Sequence, residues 1–176
     1  MTPENILQLI SQGESETVEF KTSFDRETIE TLVAFASTKG GTVWIGVADD
    51  GSLRGVTLGK ETLNTWLGQI KSATSPAIIP DLEVHTVQSH TVVAIRIGEY
   101  PVKPISTKGR YLKRIATANH QLRLSEITDL YMRSLQLSWD AYEAPQESLD
   151  APVNCTAVSR SRISRRIITS RTCATS

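Results

Sequence analysis

The chain has 176 residues, of which 39% are apolar and 22% charged, and these proportions suit one globular domain rather than a fully disordered chain. No apolar run approaches the roughly 20 residues of a membrane-spanning helix, and the first residues lack the basic and apolar regions of a signal peptide, so we expect a cytoplasmic protein. The formal net charge is zero, which argues against a protein that binds polyanions through its overall charge.

The first part of the chain predicts a helix, a strand and a second helix. Thr2 and Pro3 suit the start of a short helix that ends at Gly13. Residues 17–21 alternate as in a strand. Residues 26–39 repeat apolar side chains at helical spacing, which predicts an amphipathic helix.

The middle of the chain predicts a buried strand and a third helix. Residues 42–48 are nearly all apolar, which is typical of a central strand covered on both faces. Asp49-Asp50-Gly51 is a turn sequence, after which residues 52–56 are expected to return as a short strand. Apolar residues at helical spacing predict a helix over 61–74.

The last part of the body is richer in strands. Residues 82–87 and 91–97 are expected to form two strands joined by a tight turn. Residues 100–104 contain two prolines and predict an extended loop, because proline lacks the backbone donor that a central strand needs. Residues 111–115 predict another strand, and a helix is expected from Ser125 to about residue 135.

This order of elements predicts a mixed α/β (α+β) fold. We expect one sheet of about six strands, with hairpins, packed by three to four helices. This domain is expected to span residues 1–145. Residues 146–176 are rich in Ser, Thr and Arg and predict a disordered tail, with a truncated or artificial end as the alternative.

The tail also changes how the charge is distributed. Residues 151–176 hold five arginines and no acid, which leaves 14 basic against 19 acidic residues in 1–150, a net charge of −5. Any nucleic-acid contact by the body must therefore come from a local patch. Both cysteines, Cys155 and Cys173, lie in the tail, so neither a disulfide nor a cysteine zinc site is expected in the body.

Acidic residues gather at two places in the first third of the chain. Glu14, Glu16 and Glu19 precede or lie in the first strand, and Asp49-Asp50 follow the central strand. Lys21 lies on the same strand face as Glu19. Carboxylates with a nearby lysine can bind Mg²⁺ or Mn²⁺ and stabilise charge on a scissile phosphate. A surface ion pair beside an ordinary turn is the plainer interpretation.

A basic cluster lies between Pro101 and His120, a stretch without any acid. Its cations and interleaved tyrosines are Lys103, Lys108, Arg110, Lys113 and Arg114, with Tyr100 and Tyr111. Such a segment can neutralise phosphates while the tyrosines stack on bases. An exposed loop and edge strand, in which lysine and proline discourage aggregation, accounts for the same composition.

Three blocks of this sequence resemble the Schlafen-type AlbA domain. Residues 14–21 read ESETVEFK, and residues 34–51 read AFASTKGGTVWIGVADDG. Residues 111–125 contain YLKR, then AN and LS, which is similar to the family's last motif. The family is also described as divergent AAA, or as RecG-helicase-related DNA-binding proteins and transcriptional regulators. The resemblance covers about residues 5–135.

The resemblance implies the family's α/β fold and a role in DNA or RNA binding within a longer protein that has further C-terminal domains. Some Schlafen relatives are RNA endonucleases with three acidic residues. Carried over to this chain, those positions correspond to Glu14, Glu19 and Asp49. In that case Lys21 assists and Mg²⁺ or Mn²⁺ is the cofactor, whereas binding alone requires none. This sequence departs from the family pattern at Ala48, where a second acid is usual, and at Ala116, where glycine is usual.

The leading hypothesis is a nucleic-acid-binding module of a RecG-related transcriptional regulator. The residues expected to contact nucleic acid are Lys103, Lys108, Arg110, Tyr111, Lys113 and Arg114. No phosphate-binding loop of the Gly-x-x-x-x-Gly-Lys-Ser/Thr type occurs, so neither ATPase nor helicase activity is expected of this chain.

A metal-dependent endoribonuclease and a non-catalytic assembly domain that forms a homo-oligomer stay open as alternatives. The nucleic-acid and nuclease hypotheses need one sheet that brings the early acids to a common corner and leaves the late cations on one exposed surface.

Overall fold

A computed structural model describes residues 2–140 of the chain, with side chains described as far as Leu135. The tail predicted over 146–176 lies outside these residues. The described part is a mixed α+β fold, as predicted, but its strands form two four-stranded sheets instead of one sheet of about six strands.

Four helices and eight strands follow one another in the described residues. They are α1 (Pro3–Ser11), β1 (Val18–Lys21), α2 (Arg26–Ser37), β2 (Gly40–Ile45), α3 (Thr62–Ala73), β3 (Thr74–Ser75), β4 (Asp81–Val87), β5 (His90–Gly98), β6 (Ser106–Thr107), β7 (Arg110–Ile115), β8 (Ala118–Gln121) and α4 (Leu124–Asp140).

The first sheet has the strand order β1-β2-β5-β4. The pair β1–β2 is parallel, and β2–β5 and β5–β4 are antiparallel, so the sheet is mixed. The strand β2 is central, and its side chains alternate between two hydrophobic clusters. Val43 and Ile45 pack with α2, whereas Trp44 packs with Ile6 and Ile10 of α1 on the other face. Burial on both faces explains why the sequence of this strand is a nearly continuous apolar run.

The helix α2 lies between the two sheets. It contacts β2 and β5 of the first sheet and β7 of the second. Asp25 caps its start by accepting the backbone N–H of Thr28 at 2.9 Å. Nine of its twelve residues are buried. Two of them, Thr31 and Phe35, lie outside the apolar stripe that the sequence predicts, which is Ile29, Leu32, Val33 and Ala36. The second sheet covers the side of the helix that the sequence pattern left to solvent.

The second sheet has the strand order β3-β6-β7-β8, with antiparallel pairs throughout. The strands β3 and β6 have two residues each, too few to show any alternation in the sequence. All four residues of β8 are exposed, so this strand lacks the apolar half of a strand pattern. These short or polar strands are the ones that the sequence did not predict.

The expected strand over 52–56 does not form. The segment forms only one bridge within the described residues, between Val47 and Leu53. The chain then turns toward β5, where Val56 donates its backbone N–H to the carbonyl of Thr91. Among residues 2–140, no helix is long and apolar enough to cross a membrane.

Candidate nucleic-acid interface

The early acids are held by neighbouring groups. Glu14 lies in the loop before β1, and its Oε1 accepts the backbone N–H of Phe20 at 2.9 Å. Glu19 lies on β1 and is buried, with only 7% of its surface exposed. Asp49 follows β2 in an exposed turn. The three carboxylates therefore have different environments, although all of them lie in the first third of the sequence.

Arg114 of β7 is the principal partner of Glu19. Its Nη2 lies 2.5 Å from Glu19 Oε2 and 3.3 Å from the carbonyl oxygen of Ser15. Its Nη1 donates to Asn119 Oδ1 at 3.0 Å, and its guanidinium lies 5.1 Å from the centre of the Phe35 ring. Arg114 is only 3% exposed. This ion pair joins the first sheet to the second beside Phe35 of α2.

Lys21 extends the same network toward the surface. Its Nζ lies 3.2 Å from Glu19 Oε1 and 3.7 Å from Glu27 Oε2. Burial lowers the pKa of Lys21, but the carboxylates of Glu19, Glu27 and Asp49 outweigh it, so the pKa lies above the ordinary value of 10.5. Lys21 is therefore a permanent cation that neutralises the acids around it.

This arrangement does not fit a three-carboxylate metal site. In the part of the chain that the structure describes, no group of three or more His, Cys, Asp or Glu side chains is placed to hold a metal ion. Glu19 is already neutralised by Arg114 and Lys21, and Glu14 is committed to the β1 backbone. The expected gathering of Glu14, Glu19 and Asp49 around one cation is not seen among residues 2–140, where Glu19 pairs with Arg114 and Lys21.

The late cations are divided between two faces of the second sheet. Leu112 and Arg114 of β7 point toward α2 and are buried. Arg114 thus departs from the expected surface of phosphate contacts, since its guanidinium faces the core. Lys113 and Tyr111 alternate with them and lie on the outer face of β7.

Most of the remaining cations have acidic partners. Lys103 Nζ lies 2.5 Å from Glu99 Oε1. Arg110 reaches Glu30 of α2, and Lys113 reaches Glu126 of α4. Lys108 is exposed in the β6–β7 turn and makes no ion pair within the described residues. Partly exposed pairs of this kind contribute little to stability and can exchange partners with a phosphate.

The outer face of the β7–β8 hairpin places cations beside an aromatic ring. Lys113 lies directly opposite His120 in the strand register, so their side chains are neighbours on one face. Tyr111 lies two residues from Lys113 on that face. Arg123 follows β8, and with Lys113, His120, Ile115 and Glu126 it lines a surface cavity of about 400 Å³. We call Tyr111, Lys113, His120 and Arg123 the outer basic face.

Glu126 is the one acid that lines this cavity. The backbone N–H of Arg123 donates to its Oε2 at 2.8 Å. This hydrogen bond and the Lys113 ammonium hold the pKa of Glu126 below its ordinary value of 4.5. The carboxylate is therefore charged at neutral and mildly acidic pH, where it competes with any bound anion for Lys113.

The family model for Schlafen, AlbA_2 matches residues 14–123, well over half of the 176-residue chain. The chain belongs to the Schlafen AlbA_2 family. This confirms the family inferred from the sequence blocks, and the matched residues include both the Glu19–Arg114 ion pair and the whole outer basic face. No curated protein matches this chain.

Two solved structures are similar in fold to this chain. A Corynebacterium diphtheriae protein aligns with a TM-score of 0.55 and 19% identity, over 67% of this chain and 24% of its own. The N-terminal domain of a Nitrosomonas europaea protein, described as related to the ATP-dependent DNA helicase RecG, aligns with a TM-score of 0.52 and 22% identity, over 70% of this chain and 95% of its own. This chain thus matches about a quarter of the first protein's length.

The structure also locates the departures of this Schlafen AlbA_2 chain from the family pattern. Ala116 adopts a φ of +51° in the β7–β8 turn, a conformation that favours the usual glycine. Ala48 is half-buried between β2 and the turn that carries Asp49. The sequence did not identify His120 and Arg123 as site residues, because β8 has no apolar alternation. The one signal for this strand was Ala118-Asn119, which belongs to the last family motif.

Proposed function

We propose that this chain is a nucleic-acid-binding module that holds single-stranded DNA or RNA on the outer basic face of its second sheet. The observation that carries the proposal is the register of the β7–β8 hairpin, which sets Lys113 beside His120 with Tyr111 on the same face and Arg123 next to them. Cations beside an aromatic ring on an exposed sheet suit phosphate contact with base stacking.

Two further considerations support this proposal. Membership of the Schlafen AlbA_2 family and the RecG-related description of the Nitrosomonas europaea protein both point to nucleic acid. Residues 1–150 carry a net charge of −5, so binding must be local, and the outer basic face is such a local patch. In a longer RecG-related protein, the module would give a transcriptional regulator its affinity for nucleic acid.

The contact set differs from the one that the sequence suggested. The proposed contacts leave out Arg114, because it is buried against Phe35 and Glu19, and they include Arg123. Lys113 and Tyr111 stay central, and Lys108 extends the surface at the β6–β7 turn. Lys103 and Arg110 contribute at the margin, where each must first leave its acidic partner.

Fluorescence anisotropy with labelled single-stranded DNA and RNA, measured over a salt series, tests the proposal. The double variant Lys113→Gln/Arg123→Gln is expected to bind more weakly, and to lower the slope of log K against log salt by about 0.7 for each phosphate that the variant no longer neutralises. The matched control Arg54→Gln/Lys60→Gln removes the same charge from the β2–α3 connection, outside the second sheet, and should keep the slope.

The same protein incubated with structured RNA and Mn²⁺ distinguishes binding from cleavage. Intact RNA is the expected result, since the Glu19 carboxylate is neutralised by Arg114 and Lys21. RNA cleavage that disappears in Glu19→Gln would overturn the proposal and favour an endoribonuclease. Equal affinity of the double variant and its control would remove the outer basic face from consideration.

A further inference from the structure

The strand β4 is an open edge of the first sheet. It lies at the end of the order β1-β2-β5-β4 and has seven residues, Asp81–Val87. It contains neither lysine nor proline, two residues that commonly protect an edge from pairing, and its charged side chains are the acids Asp81 and Glu83. Val84, in its centre, is 46% exposed. An edge of this length without lysine or proline is suited to pairing with a strand that offers partners for its acids.

The hairpin geometry identifies the backbone groups that face outward. Val87 and His90 flank a two-residue turn, Gln88-Ser89, in which both residues have positive φ. In such a hairpin the flanking pair is hydrogen-bonded, and the pattern alternates along the strand. The N–H and C=O groups of Leu82, Val84 and Thr86 therefore point away from β5, and none has a partner within the described residues.

The sequence of this edge is complementary to itself. In an antiparallel pair centred on Val84, each Val84 lies opposite its copy, Leu82 opposite Thr86, and Glu83 opposite His85. Glu83 is half-exposed, and within one chain its Oε2 lies 3.3 Å from His85 Nε2. In a pair of copies, the carboxylate of Glu83 in each copy would face the imidazole of His85 in the other. Polar partners that face each other directly in this way stabilise a strand pair.

We propose that two copies of this chain associate through antiparallel pairing of their β4 edges about a two-fold axis at Val84. The three outward N–H and three outward C=O groups of each copy then satisfy one another, giving one continuous eight-stranded sheet. The interface is isologous, so it closes at the dimer and leaves neither β4 edge open to a third copy. The outer basic face belongs to the second sheet and takes no part in this pairing.

Sedimentation velocity of the full chain over a wide range of concentration tests this proposal. The wild type is expected to form a dimer. Val84→Lys sets two like charges opposite each other on the axis and should weaken dimerisation by about tenfold or more. The matched control is Val102→Lys, at a valine that is 55% exposed and lies outside β4, and it should keep the dimer.

Amide hydrogen exchange of the wild type provides a second test that requires no variant. The amides of Leu82, Val84 and Thr86 should become protected as the concentration rises, while exposed amides of β8 do not change. A wild type that stays monomeric, a dimer equally sensitive to Val84→Lys and Val102→Lys, or a dimer without protection at these three amides would overturn the proposal.

Discussion

Arg114 is the residue on which the junction between the two sheets most depends. Removing Arg114 takes away the closer partner of the buried Glu19 carboxylate and leaves Lys21 beside it. Because breaking a buried ion pair is strongly destabilising, Arg114→Met is expected to lower the free energy of unfolding by about 3 kcal/mol. Lys113→Met, the next residue on the same strand, removes a partly exposed pair and should cost no more than about 1 kcal/mol. Urea denaturation measures both changes.

A double-mutant cycle isolates the pair itself. Glu19→Gln/Arg114→Met should be less destabilised than the sum of its single variants by about 1 kcal/mol or more, because the second change removes the charge that the first leaves unpaired. Additive costs, or an Arg114→Met variant as stable as Lys113→Met, would contradict the central place given to this contact.

Glu126 is predicted to restrain binding at the outer basic face. Its carboxylate pairs with Lys113 and is charged at neutral pH, because its pKa lies below the ordinary value. Glu126→Gln keeps an acceptor for the Arg123 N–H but removes the charge, so affinity for single-stranded nucleic acid should rise by about twofold to fivefold. Glu4→Gln, at an exposed acid in α1, is the control and should leave affinity unchanged in the same anisotropy assay.

At the level of elements, Gly40 sets the start of β2. It has a φ of +78°, and a Cβ there would lie 2.6 Å from the carbonyl oxygen of Ile97. Gly40→Ala should therefore destabilise the protein by more than about 2 kcal/mol, measured by thermal unfolding. Gly68→Ala is the matched control, since a Cβ in the exposed middle of α3 meets nothing within 4 Å and should stabilise the protein by about 0.5–1 kcal/mol. Equal effects would contradict this account of the α2–β2 turn.

Elements with strong local signals were predictable from the sequence. Asp25 has the residue type of a helix cap, the apolar run before Asp49 identified β2, and two strand-forming runs on either side of a tight turn identified the β4–β5 hairpin. The second sheet was not predictable as a separate sheet, because two of its strands have two residues and β8 is wholly exposed. Its presence depends on tertiary contacts with α2 that no local pattern records.

The candidate site was predictable only in part, because local patterns reveal residue types but not long-range contacts. The acids before and in β1 and the cations of β7 could be named from composition, and Lys113 and Tyr111 lie on the outer face. That Arg114 points inward follows from strand alternation once Leu112 is known to be buried, but its pairing with Glu19, 95 residues away in sequence, is a long-range contact. Charge clusters in a sequence do not reveal which members neutralise each other.

At the level of the whole molecule, α2 lies between the two surfaces for which we propose different roles. The first sheet carries the unpaired β4 edge, and the second carries the outer basic face. The buried Glu19–Arg114 ion pair fixes the second sheet against the first, so the hairpin that carries Lys113 and His120 is held in place before any ligand arrives. Such preorganisation reduces the entropy that binding must overcome.

Amide chemical-shift mapping of the isotope-labelled protein during titration with single-stranded DNA or RNA tests the central claim most directly. The account predicts that the largest changes fall on Tyr111, Lys113, His120 and Arg123, and that they shrink as salt is added. Changes centred instead on β4, on α1 or on the turn that carries Asp49, with the β7–β8 hairpin unaffected, would contradict it.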